Sequence, residues 1–368
     1  MSKELEVEHG IVCRRAGERL GYFGWPTVAR LDDGTLVVAS SGLRSEHECP
    51  YGKTVLNFSQ DDGQTWSPPR VINDSPLDDR DAGILHLGGG RLLVTWFISA
   101  TRMHWTGVRE WLSAEEEADW QKTISAWTDD MLSQWLGSWI LLSDDRGATW
   151  SEPVRSPVST PCGPGLLANG DLLYLGKDAR EMGEGYILAA RSRDGGRSWT
   201  VEGTVPLFPG TAAANYHEPH VVELADGRLL GMIRVENCEQ CRLEDLGLVN
   251  FSLMQTESLD GGKTWSVPQA LGFHGSPPHL LRHSSGALVC VYGYRQEGFG
   301  QRAMLSYDQG ATWEHDWVLR KDGIDFDLGY PSSVELGDGS ILTVYYQKVV
   351  GDRKCSLLWT RWKLPRGV

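Results

Sequence analysis

Residues 59–66 read S-Q-D-D-G-Q-T-W and form the first of five copies of one motif. All five fit S-x-D-x-G-x-[ST]-W, and the others are S-D-D-R-G-A-T-W from Ser143, S-R-D-G-G-R-S-W from Ser192, S-L-D-G-G-K-T-W from Ser258 and S-Y-D-Q-G-A-T-W from Ser306. The pattern is typical of a tight turn, because the Asp accepts backbone N–H bonds, the Gly takes a positive φ and the hydroxyl closes the loop. The Trp then packs beneath the turn. We expect equivalent outer positions for Trp66, Trp150, Trp199, Trp265 and Trp313.

A second repeat consists of two apolar runs joined by a Gly-containing turn. It begins at Thr27, Gly83, Pro164, His220, His279 and Ser333. Six such hairpins predict an all-β fold, a six-bladed β-propeller of four-stranded antiparallel blades. Dividing 368 residues by six gives about 61 per unit, enough for a blade of roughly 40 to 50 residues with its loops. We expect one domain over residues 1–368, with the ring closed by an N-terminal strand around Val7 to Cys13.

The series of predicted β-strands is interrupted at about residues 101–135, in blade two. Trp120, Ile124, Trp127 and Met131 recur at helical spacing, and S-A-E-E from Ser113 fits a capping box. This predicts a helical insertion. It could pack on the side of the propeller, act as a lid, or join two copies of the chain into a homo-oligomer.

Composition excludes several function classes. The formal charge of -14 argues against nucleic acid as a partner, since phosphate binding requires clustered cations. No run of eighteen apolar residues indicates a membrane span, and the N-terminus has no apolar leader. Seven scattered cysteines do not make a disulfide framework. We therefore expect a cytoplasmic protein with no membrane partner.

The residues just before the six hairpins should converge on the central axis of a propeller. They are Gly24-Trp25-Pro26, Asp79-Arg80-Asp81, Cys162-Gly163-Pro164, His217-Glu218-Pro219-His220, Ser276-Pro277-Pro278-His279 and Gly329-Tyr330-Pro331. A purely structural rim has no need of so many titratable groups at equivalent places. The sequence therefore predicts a polar site in an axial funnel.

Several of these motifs together resemble the sialidase (neuraminidase) superfamily. They are the Asp-box turns, Glu218 before the fourth hairpin with Arg234 at its far end, Q-R-A-M-L-S containing Arg302, and G-Y-P-S containing Tyr330. The resemblance spans nearly the whole chain. It implies an exo-acting glycoside hydrolase of the sialidase type, which removes a terminal acidic sugar such as sialic acid.

The resemblance also implies a clamp of three arginines for the sugar carboxylate, because guanidinium groups bind carboxylates through paired, charge-assisted bonds. Arg234 and Arg302 match the second and third arginines. The first should stand in an R-I-P sequence, but this chain reads G-W-P, and Trp25 cannot replace a guanidinium. Arg80 is the favoured substitute and Arg44 the alternative, although an Arg between two Asp could also be a neutralised structural pair.

Tyr330 and Glu218 match the superfamily's nucleophile and its activating base. A neutral nucleophile suits an anomeric carbon that already bears a carboxylate. The superfamily takes its acid/base from an Asp after the first inner strand, but here that loop reads S-G-L-R-S-E-H-E-C-P-Y-G-K and has no Asp. His47 and Asp81 rank first for this role.

The weaker candidates for the acid/base are Glu46, Glu48 and Asp79. Asp79, His217 and His279 are also candidates for binding sugar hydroxyls, and Trp25 for stacking on a sugar face. We predict no metal and no cofactor, since C-E-Q-C from Cys238 has no second pair and histidines beside prolines more often donate to hydroxyls.

Two other functions stay open at this stage. One is a propeller that binds carbohydrate without catalysis, which the missing R-I-P arginine favours. The other is an enzyme that acts on a different anionic glycan, built of uronic or keto-deoxy sugars, by hydrolysis or by elimination.

Overall fold

Six antiparallel sheets surround a common axis in a computed structural model, which describes residues 3–101, 105–180 and 185–365. Neighbouring inner strands contact one another around the ring, and the last blade contacts the first. The predicted six-bladed propeller is therefore confirmed. No helix among the described residues is both long enough and apolar enough to cross a membrane.

The strands of the first three blades follow the chain from the axis outward. Blade one contains β3 (Tyr22–Arg30), β4 (Leu36–Arg44), β5 (Lys53–Ser59) and β6 (Arg70–Asn73). Blade two contains β7 (Asp78–His86), β8 (Leu92–Ser99), β9 (Gly137–Ser143) and β10 (Val154–Ser156). Blade three contains β11 (Val158–Ser159), β12 (Gly165–Leu166), β13 (Leu172–Asp178), β14 (Ile187–Ser192) and β15 (Thr200–Thr204). Its inner strand is thus split, with β11 and β12 both paired to β13.

The other three blades complete the ring. Blade four contains β16 (Tyr216–Glu223), β17 (Leu229–Val235), β18 (Ser252–Ser258) and β19 (Gln269–His274). Blade five contains β20 (Pro278–Arg282), β21 (Leu288–Tyr294), β22 (Gly300–Ser306) and β23 (Glu314–Arg320), with β1 (Lys3–Glu4) added parallel to β23. Blade six contains β24 (Gly329–Glu335), β25 (Ile341–Lys348), β26 (Cys355–Trp362) and β2 (Val7–Cys13).

The N-terminal segment closes the ring as predicted. β2 pairs antiparallel with β26 and so supplies the outer strand of blade six. Because the blade combines strands from both ends of the chain, the last sheet cannot form until the whole chain has been brought together.

The Asp-box turns are built alike in the five blades that carry the motif. In the first, the Ser59 hydroxyl accepts from the Gly63 amide at 2.9 Å, and the Asp61 carboxylate accepts from the Thr65 amide at 2.9 Å. The indole N–H groups of Trp66, Trp199 and Trp265 each donate to the glycine carbonyl of their own motif. Each turn is therefore held by its own residues.

The helical insertion lies between β8 and β9, as predicted. It contains α1 (Trp105–Val108), α2 (Ala114–Ser125) and α3 (Asp129–Trp135), and residues 102–104 lie outside the described part. Ser113 and Glu116 form the expected capping box at the start of α2. Trp120, Ile124 and Trp127 are buried against apolar side chains of blade two. The insertion thus packs on the side of the propeller.

Apolar clusters fill the space between neighbouring blades. Between blades one and six, Val28 and Val38 pack with Leu342, Val344 and Trp359. Branched side chains fit the pleated surfaces of these strands, and their removal from water is the main favourable contribution to folding. The packed blades form a rigid frame for the funnel residues.

Candidate active site

A repeated irregularity of the backbone directs side chains into the funnel. Trp25, Asp81, Glu218 and Tyr330 all have a positive φ, of 53°, 47°, 46° and 51°, and Gly163 has 73°. They occupy the same position in five inner strands, and in β3, β7, β16 and β24 the pairing register shifts there. Left-handed backbone at a non-glycine residue costs free energy and is concentrated at functional sites. The four side chains define what we call the floor of the funnel.

Two floor residues, from blades four and six, are in direct contact. The Tyr330 hydroxyl donates to the Glu218 carboxylate, and Arg234 Nη1 donates to Glu218 Oε2 at 2.7 Å and to the Tyr330 oxygen at 3.3 Å. Arg234 Nη2 donates to Glu236 Oε2 at 2.5 Å. The structure therefore brings together three of the residues predicted for the site, and adds Glu236.

The protonation states of this pair follow from burial and from neighbouring charges. Burial would raise the pKa of Glu218, but the Arg234 charge and the Tyr330 hydrogen bond outweigh it and lower this pKa. Burial and the Glu218 charge raise the pKa of Tyr330 well above its usual value. The pair is therefore a neutral phenol hydrogen-bonded to an ionised carboxylate, which is the starting arrangement for base-assisted attack by a hydroxyl.

Tyr330 lies between two cavities. We call the first, of about 410 Å³, the arginine cavity, and it is lined by His47, Arg234, Phe251, Arg295, Gln296, Phe326, Asp327, Tyr330 and Tyr346. We call the second, of about 350 Å³, the aspartate cavity, and its polar lining includes Arg80, Asp81, Ser138, Ser159, Thr160, Lys177, His217 and Glu218. A ligand that contacts Tyr330 can thus extend in two directions.

Asp81 is a floor residue of the aspartate cavity with an unusual carboxyl group. Its side chain is buried, and Oδ1 has no hydrogen-bond partner among the residues described. Burial, opposed by the charge of Arg80 and aided by the charge of Glu218, raises the pKa of Asp81 to about 7. Asp81 is thus available to a ligand and can be neutral near physiological pH.

The two candidates for the first clamp arginine are held by acidic residues inside the protein. Arg44 is fully buried and forms a bidentate pair with Asp78 at 2.6 and 2.8 Å. Arg80 pairs with Glu48 and lines the aspartate cavity instead of the arginine cavity. Both guanidinium groups lie over the Trp25 ring, at 5.0 and 4.6 Å from its centroid. The predicted role of Arg44 in substrate binding is therefore wrong, and Arg80 and Arg234 line different cavities.

Trp25 and Asp79 are also interior residues. Trp25 is only 1% exposed, so its ring supports other side chains and cannot stack on a sugar. Asp79 is fully buried and accepts from the Asn73 amide group and the Ser75 backbone N–H at 2.8 and 3.0 Å. Both predictions of substrate contact fail because residues of their own and of neighbouring blades cover these side chains.

Arg302 does not reach either cavity that contains Tyr330. It lies on β22, the third strand of blade five, and its guanidinium donates to the carbonyls of Gln301, Gly298 and Arg320. Nε lies 3.4 Å from Asp316 Oδ1. These bonds hold Arg302 away from the axis. The prediction that Arg302 belongs to the clamp is therefore wrong.

Arg295 lines the arginine cavity instead. It directly follows β21, the second strand of blade five, as Arg234 lies near the end of the second strand of blade four. Its guanidinium lies 5.7 Å from the Tyr330 ring and donates to the Leu328 carbonyl at 2.8 Å. Because Arg234 and Arg295 lie at equivalent ends of the second strands of neighbouring blades, the sequence repeat could have indicated Arg295 as a site residue.

The three predicted histidines lie in three different cavities. His47 lines the arginine cavity, with Nδ1 at 2.9 Å from Asp327 Oδ1. His217 lines the aspartate cavity, 3.5 Å from Glu236. His279 is buried in a third cavity of about 660 Å³, farther along the inner strands, where it stacks on His220 at 4.4 Å. His279 is therefore not brought to the site of Tyr330.

Sequence reasoning missed several polar residues of the site. Asp327 precedes the inner strand of blade six by two residues. Lys177 is the next-to-last residue of the second strand of blade three, and its ammonium donates to the carbonyls of Ala213 and Tyr216. The D-L-G-Y sequence and the place of Lys177 at a strand end are the available signals. Neither belongs to a motif that the sequence alone marks as functional.

Comparisons with known proteins agree with this architecture. The model of the family described as BNR repeat-like domain matches residues 115–343, and the chain belongs to this family. The chain is 22% identical over 301 residues to a sialidase of Paraclostridium sordellii, across 80% of this chain and 57% of that protein. The predicted resemblance to the sialidase superfamily is thus confirmed, although the chain spans little more than half of that relative's length.

Solved structures share the fold at low identity. A protein of unknown function from Dyadobacter fermentans is 22% identical, with a TM-score of 0.76 and coverage of 98% of this chain and 99% of that one. The intramolecular trans-sialidase of Ruminococcus gnavus is 16% identical, with a TM-score of 0.65 and coverage of 95% and 96%. Trypanosoma rangeli sialidase is 18% identical, with a TM-score of 0.63 and coverage of 96% and 59%.

Proposed function

We propose that this protein is a retaining exo-glycoside hydrolase that releases a terminal acidic sugar of the sialic acid type from a glycan. The observation that carries the proposal is the contact of the Tyr330 hydroxyl with Glu218, with Arg234 bonded to both. The similarity to the sialidase of Paraclostridium sordellii supports the substrate class.

In the proposed reaction, Tyr330 attacks the anomeric carbon while Glu218 takes the phenolic proton. A phenol is a poor nucleophile at neutral pH unless a base lies within hydrogen-bond reach. Glu218 meets that condition, and its lowered pKa keeps it ionised. The neutral phenol also avoids the repulsion that a carboxylate nucleophile would meet at a carbon that bears a carboxylate.

The sugar carboxylate is bound in the arginine cavity by Arg234 and Arg295. Glu218 and Glu236 already neutralise much of the Arg234 charge. Arg295 has its bonds to the Leu328 carbonyl and the Ser276 hydroxyl, so in the described part of the chain no carboxylate compensates it. Arg295 is therefore the cation that gains most from an acidic ligand.

A two-arginine clamp supports acidic sugars beyond N-acetylneuraminic acid. The position of the superfamily's first arginine is occupied by the Gly24-Trp25 pair, and the neighbouring Arg44 and Arg80 are paired with internal acids. Keto-deoxy sugars carry their carboxylate on the anomeric carbon and uronic sugars carry theirs on C5, and together they are the second substrate class to test. The same loss of an arginine favours, as an alternative, a propeller that binds acidic sugars without turnover.

Release of a fluorescent phenol from an α-sialoside and from the matching keto-deoxy and uronic glycosides tests the proposal. We expect turnover of at least one of them, with ¹H NMR showing retained anomeric configuration in the first product. The Tyr330→Phe protein is the matched control. Tight binding of an acidic sugar with no turnover by either protein would establish the alternative, and inversion would remove Tyr330 as the nucleophile.

A further inference from the structure

His47 occupies a different level of the funnel from the floor residues. It lies on the segment after β4, and its ring meets the Trp25 ring edge-on at a centroid distance of 4.9 Å. Trp25 is a buried floor residue, whereas the His47 side chain is 40% exposed. His47 therefore lies above the floor, on the solvent side of the arginine cavity.

Asp327 fixes the orientation of the His47 ring. Its Oδ1 lies 2.9 Å from His47 Nδ1 and also accepts from the Tyr22 hydroxyl at 2.9 Å. Burial would raise the pKa of Asp327, but the bonds and charge of His47 and the bond from Tyr22 outweigh it and lower the pKa to about 2. An ionised Asp327 requires a proton on Nδ1. Nε2 of the neutral ring is then the basic nitrogen, and no hydrogen bond to it is present among the described residues.

The stereochemistry of a retaining reaction decides between the two candidates for proton donor. The nucleophile and the leaving group lie on opposite faces of the anomeric carbon, so the acid must face the side away from Tyr330. Asp81 occupies the same strand position as Tyr330 and Glu218, with the same left-handed backbone, and thus belongs to the floor. Of the two candidates, only His47 lies above the floor, on the side away from Tyr330 that the proton donor must occupy.

We propose, on the basis of the proposed function, that His47 is the acid/base catalyst and that Asp327 is its positioning residue. In the first step the imidazolium gives its Nε2 proton to the glycosidic oxygen as the bond from Tyr330 to the anomeric carbon forms and the bond to the leaving group breaks. Glu218 receives the phenolic proton. The leaving group departs as a neutral alcohol.

The second step restores every proton. Neutral His47 takes a proton from water through Nε2 as the water oxygen bonds to the anomeric carbon, and the bond to Tyr330 breaks. Glu218 returns its proton to the Tyr330 oxygen. The net change is hydrolysis, with His47 again an imidazolium and the sugar released with retention.

A leaving-group series tests the role of His47. Native protein, His47→Gln and the control His9→Gln, on the outer strand of blade six, are compared on nitrophenyl, methylumbelliferyl and phenyl glycosides of the same acidic sugar. A good leaving group needs no protonation, so His47→Gln should lose about 10²- to 10⁴-fold in kcat/KM on the phenyl glycoside but much less on the nitrophenyl glycoside. Azide should restore turnover and give a glycosyl azide of retained configuration.

The positioning role has its own readout. The imidazole ¹⁵N shifts of native protein should show a proton on Nδ1 of His47 in the neutral ring, and Asp327→Asn should lose this preference together with part of the turnover of the phenyl glycoside. Asp327→Glu should restore part of both.

Each outcome separates this inference from the proposed function. Equal leaving-group dependence in native and His47→Gln proteins overturns the inference alone, and the same dependence appearing in Asp81→Asn would move the role to Asp81. A native protein that cleaves none of the glycosides overturns the proposed function, and this inference with it.

Discussion

The outer turns and the inner bulges of this propeller show two opposite uses of repetition. At the outer end, five blades carry the same residues in the same geometry, as in the bonds of Asp61 and Asp145 to the Thr four residues later. At the inner end, five strands share one backbone conformation, but four of them present Trp25, Asp81, Glu218 and Tyr330. The turns repeat in sequence, and the bulges repeat only in shape.

This difference separates stability from chemistry in one fold. A turn that recurs unchanged satisfies its own hydrogen bonds and has one task in every blade. A bulge that recurs with different side chains redirects each of them to the same axis, and such features are concentrated near functional sites. Substitutions at the inner end should therefore alter activity, whereas those at the outer end should alter only stability.

The largest effect is expected at the pair formed by Tyr330 and Glu218. Tyr330→Phe removes the attacking oxygen and Glu218→Gln removes its base, so each should lower kcat by about 10²- to 10⁴-fold. The double variant should be little worse than either single one, because residues that act as a unit are not additive. Steady-state kinetics with circular dichroism of each variant would measure this, and additive losses would contradict a shared step.

A smaller effect is expected at Arg295, and it distinguishes this residue from Arg302 of the same blade. Arg295→Ala should lower kcat/KM on an acidic glycoside by about tenfold to a hundredfold, since a charge-assisted bond contributes roughly 1.5 to 3 kcal/mol. Arg302→Ala should instead lower the melting temperature, because three backbone carbonyls lose their donor. Kinetics and thermal unfolding of both variants test the assignment, and the reverse pattern would return Arg302 to the clamp.

The sequence was sufficient for the architecture because the fold repeats. Six hairpins and five Asp boxes are local patterns, and each confirms the others. The capping box at Ser113 was visible for the same reason, since it involves residues three apart in the chain. The split inner strand of blade three and the added β1 were not predictable, because each depends on pairing between distant segments.

Glu218 and Tyr330 were predictable because each stands at the start of an inner strand, and Arg234 because the resemblance to sialidases points to the far end of the fourth hairpin. Arg44 and Trp25 were misjudged because nothing local indicates that the Asp78 carboxylate and the surrounding blades bury them. Asp327 was missed because its contact with His47 joins residues 280 apart in the chain.

The inner carboxyl group of Asp81 should show a pH-dependent cost in stability. Its pKa is raised to about 7 by burial, from about 3.9 in an unfolded chain. The stability it contributes is present below about pH 4 and is lost as the pH rises through about 7. Asp81→Asn should therefore raise the melting temperature relative to native protein at pH 8, and much less at pH 4, while turnover falls. An equal gain at both pH values would show that Asp81 is not buried as a carboxyl group.

The smallest effect, and one of opposite sign, is expected at the outer carboxylate of Asp308. Hydrogen bonds from the Thr312 hydroxyl and amide lower the pKa of Asp308 to about 2. A lowered pKa contributes stability above the unfolded value of about 3.9, and this stability is lost as the pH falls through about 2. Asp308→Asn keeps one acceptor but loses the charge, so its melting temperature should lie slightly below that of native protein at pH 7, and the difference should shrink toward pH 2.

Activity on an acidic glycoside should be unchanged in Asp308→Asn, because the turn of residues 306–313 lies at the outer end of its blade and the hydrogen bonds of the Asp308 carboxylate stay within the motif. Melting temperatures of Asp308→Asn and Asp81→Asn, measured side by side from pH 2 to pH 8, compare the effects of the two carboxyl groups on stability. If the melting temperatures of both variants, measured relative to native protein, changed in the same direction with pH, the distinction between stabilising outer turns and chemically specialised inner bulges would be wrong for these two carboxyl groups.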